Sequence, residues 1–370
     1  MVFAFLLLLQ TIAPTQPPAA PLPGTAAAQA SLRPVGARVE EVAEAGGRDG
    51  TDNIPVLVTY PADRGTRPWT FRDLLAATCA DGGARSEGPC VERLRHELRE
   101  VGPDPGARFD AALDRPLGAT RDGRLAGGRH PTIVLEAGLT SDALSFVDLM
   151  THLSARGYLC VSLPSRPYGP GQPLTFDLAG VDRKVRDLRR VVEGLASIPG
   201  ADPDRVALAA WSIGGVSTTL AAMQMTGIKA LVSLDSGMGY DYGPPLARQS
   251  PAFRLDRLGM PILHVTGGVP NRFPVPKEQG FFRSLAGPDV FLATIDGLNH
   301  SQFVSAWGPI RFHDDDTSDG RAFWSGHAVM LDTVAAFLDL TVKTPATRDA
   351  VRTAMASPLP GRLVERVSGR

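Results

Sequence analysis

From about residue 130 onward, apolar positions recur with two alternating periods. Thr132 to Leu135 is a short apolar run after a Gly-rich turn, which predicts a strand. Phe146, Val147, Met150 and Leu153 follow at helical spacing. Tyr158 to Leu163 predicts the next strand, and Val181, Val185, Leu188, Val192 and Leu195 form an apolar stripe with Arg and Asp opposite it. Val206 to Ala210 predicts a strand that runs into Trp211-Ser212-Ile213-Gly214-Gly215, with a helix expected through about Met225. Ala230 to Leu234, Ile262 to Val265 and Val290 to Thr294 complete the strands, the last of these taken as the final one, and a final helix carries Met330, Val334, Phe337 and Leu338. Strand–helix alternation of this length predicts an α/β fold: a mostly parallel central sheet with helices on both faces.

The chain before residue 130 reads differently. Val56 to Tyr60 predicts an early strand. Residues 62–128 are rich in Gly, Arg and Asp, with helical stretches near 70–78 and 90–101. They are expected as an excursion over or beside the sheet, with a small lid as the alternative. Phe3 to Leu9 is an apolar run, followed by a Pro-, Ala- and Thr-rich stretch ending in Ala28-Gln29-Ala30. This pattern predicts a signal peptide over residues 1–30 and export, with one domain expected over 31–370. The run is too short to span a bilayer, which takes about 20 apolar residues.

Composition narrows the partners. With 38 basic and 39 acidic residues and a net charge of -1, nothing favours nucleic acid or an anionic membrane surface. Of the three cysteines, Cys160 lies in a predicted buried strand, whereas Cys79 and Cys90 share a polar segment and are expected to form a disulfide in an oxidising compartment. No cysteine pair has zinc-ligand spacing, and the Asp314-Asp315-Asp316 run reads as a solvated loop. No metal or cofactor is expected, since no Gly-rich phosphate loop follows an early strand.

The chemistry concentrates at Ala210-Trp211-Ser212-Ile213-Gly214. Small residues between a predicted strand and helix match the G-x-S-x-G nucleophile elbow, with Ala210 in place of the first Gly. Ser212 is the candidate nucleophile, and the turn aims the Ile213 N–H at a developing oxyanion. Of 7 histidines, His300 alone falls in the loop after the strand ending near Thr294; His96, His130 and His152 precede the elbow, His264 is inside a strand, and His313 and His327 lie beyond. The loop after Ile262–Val265 holds no carboxylate, so the candidate acid is Asp235, at the end of the strand one earlier. Trp211 and Tyr240 are candidates for the substrate pocket, although Tyr240 and Tyr242 serve equally well as packing residues.

These segments resemble the platelet-activating factor acetylhydrolase family and related dienelactone-hydrolase-like esterases, from about Ile54 to Phe303. Glu136-Ala137-Gly138-Leu139 is similar to that family's oxyanion loop, Ser233 to Met238 to its acid-bearing strand end, and Asn299 to Phe303 to its histidine loop. The resemblance implies an α/β-hydrolase fold, supports Asp235 as the acid, and adds the Leu139 N–H to the oxyanion hole. Ala137-Gly138, preceded by Glu136, stands where the family commonly has His-Gly. The expected function is cofactor-free hydrolysis of a small-molecule carboxylic ester through an acyl-enzyme. A peptidase or acyltransferase on the same fold, or a non-catalytic binding protein built on the scaffold, are the alternatives; the sequence leaves substrate and oligomeric state open.

Overall fold

A computed structural model describes residues 32–43, 53–78, 80–81, 84–85, 87–101, 104, 106–139, 141–165, 175–270, 279–344, 346–357 and 361–367. The expected signal peptide and Cys79 lie outside these residues.

Thirteen strands are described, β1 (Val35–Val42), β2 (Ile54–Pro61), β3 (Pro68–Thr70), β4 (Ala80–Asp81), β5 (Ala84–Arg85), β6 (Pro116–Thr120), β7 (His130–Glu136), β8 (Leu159–Leu163), β9 (Ala201–Trp211), β10 (Ile228–Leu234), β11 (Ile262–Gly267), β12 (Val290–Ile295) and β13 (Arg362–Val367). Eleven of them form one sheet in the order β13-β12-β11-β10-β9-β7-β8-β2-β1-β6-β3, and β4 pairs with β5. The six from β8 to β12 are parallel, as the alternation of strands and helices predicts; β13, β2 and β3 pair antiparallel with their neighbours.

Alternate residues of each central strand feed two separate cores. Ile133, Leu135, Ala207 and Ala209 face helices Val147–Ala155 and Ser318–Leu338 through Met150, Phe337 and their neighbours. Val134, Leu208 and Leu231 face helices Leu178–Glu193 and Gly214–Gln224 through Val185, Leu188 and Leu220. A period-two strand meeting a period-3.6 stripe on each side is the reason the central strands read as continuous apolar runs.

Segment 62–128 sits beside the sheet. β3 and β6 widen it past β1, while helices Phe71–Thr78, Glu87–Val101 and Arg108–Asp114 bury Phe71, Leu98 and Phe109 in the same core as Ile133. Two expectations need correction. Val290–Thr294 is not the last strand, because β13 follows and pairs antiparallel with β12, and helix Arg348–Ala356 follows the expected final helix. β1, β6 and β13 carry charged or small residues among few apolar ones, and outer strands of this kind lack the apolar run that marks the sheet centre.

Candidate active site

Every candidate group lies at the C-terminal ends of the parallel strands, where open α/β sheets bind ligands. Ser212 follows β9 at φ 57° and leads into helix Gly214–Gln224. A non-glycine residue in the left-handed region is costly, and here two donors hold it: the Gly237 and Gly215 amides bond the Ser212 carbonyl at 2.7 and 3.0 Å. The turn also needs close backbone approach. A Cβ on Gly214 would lie 2.5 Å from the Ala137 carbonyl oxygen, and one on Gly138 would lie 2.9 Å from the Ser212 Cβ. Ala210 carries its methyl buried without disturbing this arrangement.

Asp235 follows β10, also at positive φ (39°), with its amide bonded to the Val265 carbonyl at 2.6 Å. The carboxylate is fully buried. Its Oδ2 lies 2.9 Å from His300 Nδ1, and His300 Nε2 lies 3.1 Å from Ser212 Oγ. His300 opens a short 3-10 turn, His300–Phe303, that is capped reciprocally: Asn299 Oδ1 accepts from the Ser301 amide at 3.2 Å, and Gln302 Oε1 accepts from the Asn299 amide at 2.7 Å. The structure thus brings together Ser212, His300 and Asp235 from three different loops.

Trp211 and Tyr240 are both buried, and both touch the histidine. The Trp211 ring stacks on the imidazole at 4.8 Å and its Nε1–H donates to the His300 carbonyl at 2.8 Å. Tyr240 meets the imidazole edge-on and its hydroxyl donates to Asp235 Oδ2 at 2.7 Å. These contacts orient the His300 ring and the Asp235 carboxylate, a task the pocket expectation for the two residues did not include. Neither hydrogen bond is visible in sequence, though Tyr240's place five residues after Asp235 was the available signal. Beside them, Tyr242 stacks on Tyr240 at 5.8 Å, and the exposed Phe176 lies against Tyr242 at 5.4 Å. Burial and then the Asp235 charge push the Tyr242 phenol up to about 12, against a hydrogen bond with Ser212, so it stays protonated at neutral pH.

Leu139 lies three residues past β7, and Ile213 lies directly after Ser212. Among the described residues, no partner occupies either amide. Next to this loop, a small cleft is lined by Leu144, Asp142, Val304 and Trp307 together with Leu75 and Leu94 from segment 62–128. Arg93 of that segment pairs with Asp142 at 3.4 Å.

The remaining candidates fall elsewhere. His264 is buried in β11 with Nδ1 2.8 Å from Ser233 Oγ, and Asp315 pairs with Arg108 at 3.0 Å. Among the described residues no group of acidic, His or Cys side chains is arranged to hold a metal, and no helix is long and apolar enough to cross a membrane.

The sequence model of the alpha/beta hydrolase family matches residues 128–367, which covers the six parallel strands, the elbow and the histidine loop. The chain belongs to the alpha/beta hydrolase family. Among solved structures, this alpha/beta hydrolase is similar to a ferulic acid esterase from Streptomyces cinnamoneus, with a TM-score of 0.59 and 19% identity over 90% of this chain and 96% of that one. At that identity the likeness shows the shared fold. None of the curated proteins matches the sequence.

Proposed function

We propose that this alpha/beta hydrolase is a serine carboxylic ester hydrolase. The observation that carries the reading is the continuous relay Ser212 Oγ–His300 Nε2 at 3.1 Å and His300 Nδ1–Asp235 Oδ2 at 2.9 Å, with the serine on a strained elbow. Ser212 Oγ attacks the ester carbonyl carbon while its proton passes to His300 Nε2. Asp235 holds the Nδ1–H and stabilises the imidazolium. The Leu139 and Ile213 amides bind the oxyanion of the tetrahedral intermediate. Collapse breaks the bond to the alcohol oxygen, which takes the proton from Nε2. Water then attacks the acyl-enzyme by the same route and releases the acid.

By the same reading the chain stands with the platelet-activating factor acetylhydrolases and dienelactone-hydrolase-like esterases, on the likeness of its 136–139, 233–238 and 299–303 segments. The aromatic row Tyr240, Tyr242 and Phe176 beside the serine suits an ester with an aromatic acyl group, which agrees with the activity named for the ferulic acid esterase.

The test is a panel of p-nitrophenyl esters of rising chain length together with methyl ferulate, run beside amide substrates and labelling by a serine-reactive phosphonate. Wild-type protein is expected to hydrolyse esters and take up one phosphonate. Ser212→Ala is expected to lose about 10⁴-fold or more in kcat, and all labelling, with unchanged thermal unfolding. Undiminished ester hydrolysis by folded Ser212→Ala overturns the assignment.

A further inference from the structure

Glu136, the last residue of β7, is fully buried directly before the loop that carries Leu139. Its Oε1 lies 2.8 Å from Nζ of Lys184, itself buried in helix Leu178–Glu193. Its Oε2 accepts from Ser217 Oγ at 2.9 Å and Thr218 Oγ1 at 2.7 Å, both on the helix that begins at the elbow. Lys184 Nζ also reaches the Ala137 carbonyl at 3.4 Å and bonds Ser165 Oγ. Ser165 Oγ in turn donates to the same Ala137 carbonyl at 2.8 Å, and the Ser165 amide bonds the Ser141 carbonyl at 2.8 Å. One ion pair therefore joins the end of β7, the 137–141 loop, the elbow helix and the loop after β8.

Stability alone gives a poor reason for this arrangement. Taking two charges out of water is costly, and a well-packed apolar pair of similar volume serves a core as well or better. Burial pushes the Glu136 carboxyl up, and the opposing contributions come first from the Lys184 charge and then from its hydrogen bonds. What apolar side chains cannot supply is direction. The carboxylate grips the elbow helix through two hydroxyls while the ammonium grips the carbonyl of Ala137, two residues before Leu139. Those two segments are the ones that carry the two oxyanion amides.

We propose that the Glu136–Lys184 pair is a positioning device that sets the Leu139 amide at a fixed distance from the Ile213 amide, and so makes the oxyanion hole a preorganised one. The inference rests on the esterase reading above and adds to it two positioning residues that touch neither substrate nor nucleophile. An oxyanion hole works only when its donors already point at the developing charge, so a loosened Leu139 loop costs kcat and leaves ground-state binding alone.

The experiment uses the double variant Glu136→Leu/Lys184→Met, which leaves no unpaired buried charge, assayed with the best ester from the panel. Its thermal unfolding is expected near that of wild type. Its kcat is expected to fall about 10- to 100-fold with KM within about twofold, because small displacements of catalytic groups cost rates of this order. Inhibition by a trifluoromethyl ketone, whose hemiketal oxygen occupies the oxyanion position, is expected to weaken in parallel with kcat/KM. A folded double variant with wild-type kcat and undiminished ketone inhibition overturns the inference while the esterase reading stands. Wild-type protein that hydrolyses no ester overturns that reading and this inference with it. Should the double variant not fold, Thr218→Val carries the test: kcat is expected to drop several-fold and to be restored by Thr218→Ser, and an unchanged kcat in Thr218→Val overturns the proposal.

Discussion

Replacing Asp235 with Asn removes one charge and changes almost no volume, so it isolates what the carboxylate does. In the wild-type structure Oδ2 accepts from His300 Nδ1 at 2.9 Å and from the Tyr240 hydroxyl at 2.7 Å. Two donors on one oxygen keep the imidazole proton on Nδ1 and leave Nε2 bare, facing Ser212 Oγ at 3.1 Å. An amide NH2 turned toward Nδ1 forces the proton to Nε2, where the ring can no longer take one from serine. The carboxylate is fully buried, so no bulk water replaces its charge when the imidazolium forms. Loss of tautomer and charge together is expected to cost about 10⁴-fold in kcat, or about 5.4 kcal/mol at 1.36 kcal/mol per tenfold. Initial rates, normalised to phosphonate-titrated sites, measure it, with thermal unfolding as the check on the fold. Asp296→Asn is the control: Asp296 is exposed, its amide bonds the Gly361 carbonyl at 2.9 Å, and its variant is expected to keep most of the activity. A folded Asp235→Asn protein within tenfold of wild type, or a dead Asp296→Asn, refutes the reasoning.

Two further predictions concern the scaffold. His327 is buried against Phe323 and Trp324, and burial first, then Arg115 and His152, lower it to about 4 from 6.5, against the pull of Asp148. The unfolded chain therefore binds the proton first as pH falls, so stability is full above about 6.5 and drops by ~3 kcal/mol toward pH ~4. Denaturant unfolding at several pH values is expected to show this slope, and His327→Phe to flatten it; equal slopes would contradict the assignment. For the cysteines, Cys160 is a buried free thiol pushed up to about 12 by burial, and we propose that Cys79 bonds Cys90. Thiol counting in denaturant without reductant is expected to give one group, and three groups would exclude the bond.

Much of the architecture could be read from the chain because it depends on near neighbours. Strands β7 to β12 announce themselves as apolar runs, since a central strand is covered on both faces and most of its inner residues are apolar. The elbow is legible for the same reason: the small residues at 210, 214 and 215 answer a steric demand made within five positions of Ser212. His300 and Asp235 were legible as strand-end residues, since the six parallel strands all end on one rim. What needed the tertiary structure were contacts between residues far apart in the chain. Lys184 falls inside the apolar stripe of Val181, Val185 and Leu188, an anomaly in sequence that finds its cause only when Glu136 arrives from another strand. Tyr240's hold on Asp235, Trp211's bond to the His300 carbonyl and the outer strands β1, β6 and β13 have the same character. Local spacing decides which face a side chain takes. Which distant group meets it there is decided by the order in which the sheet stacks its strands.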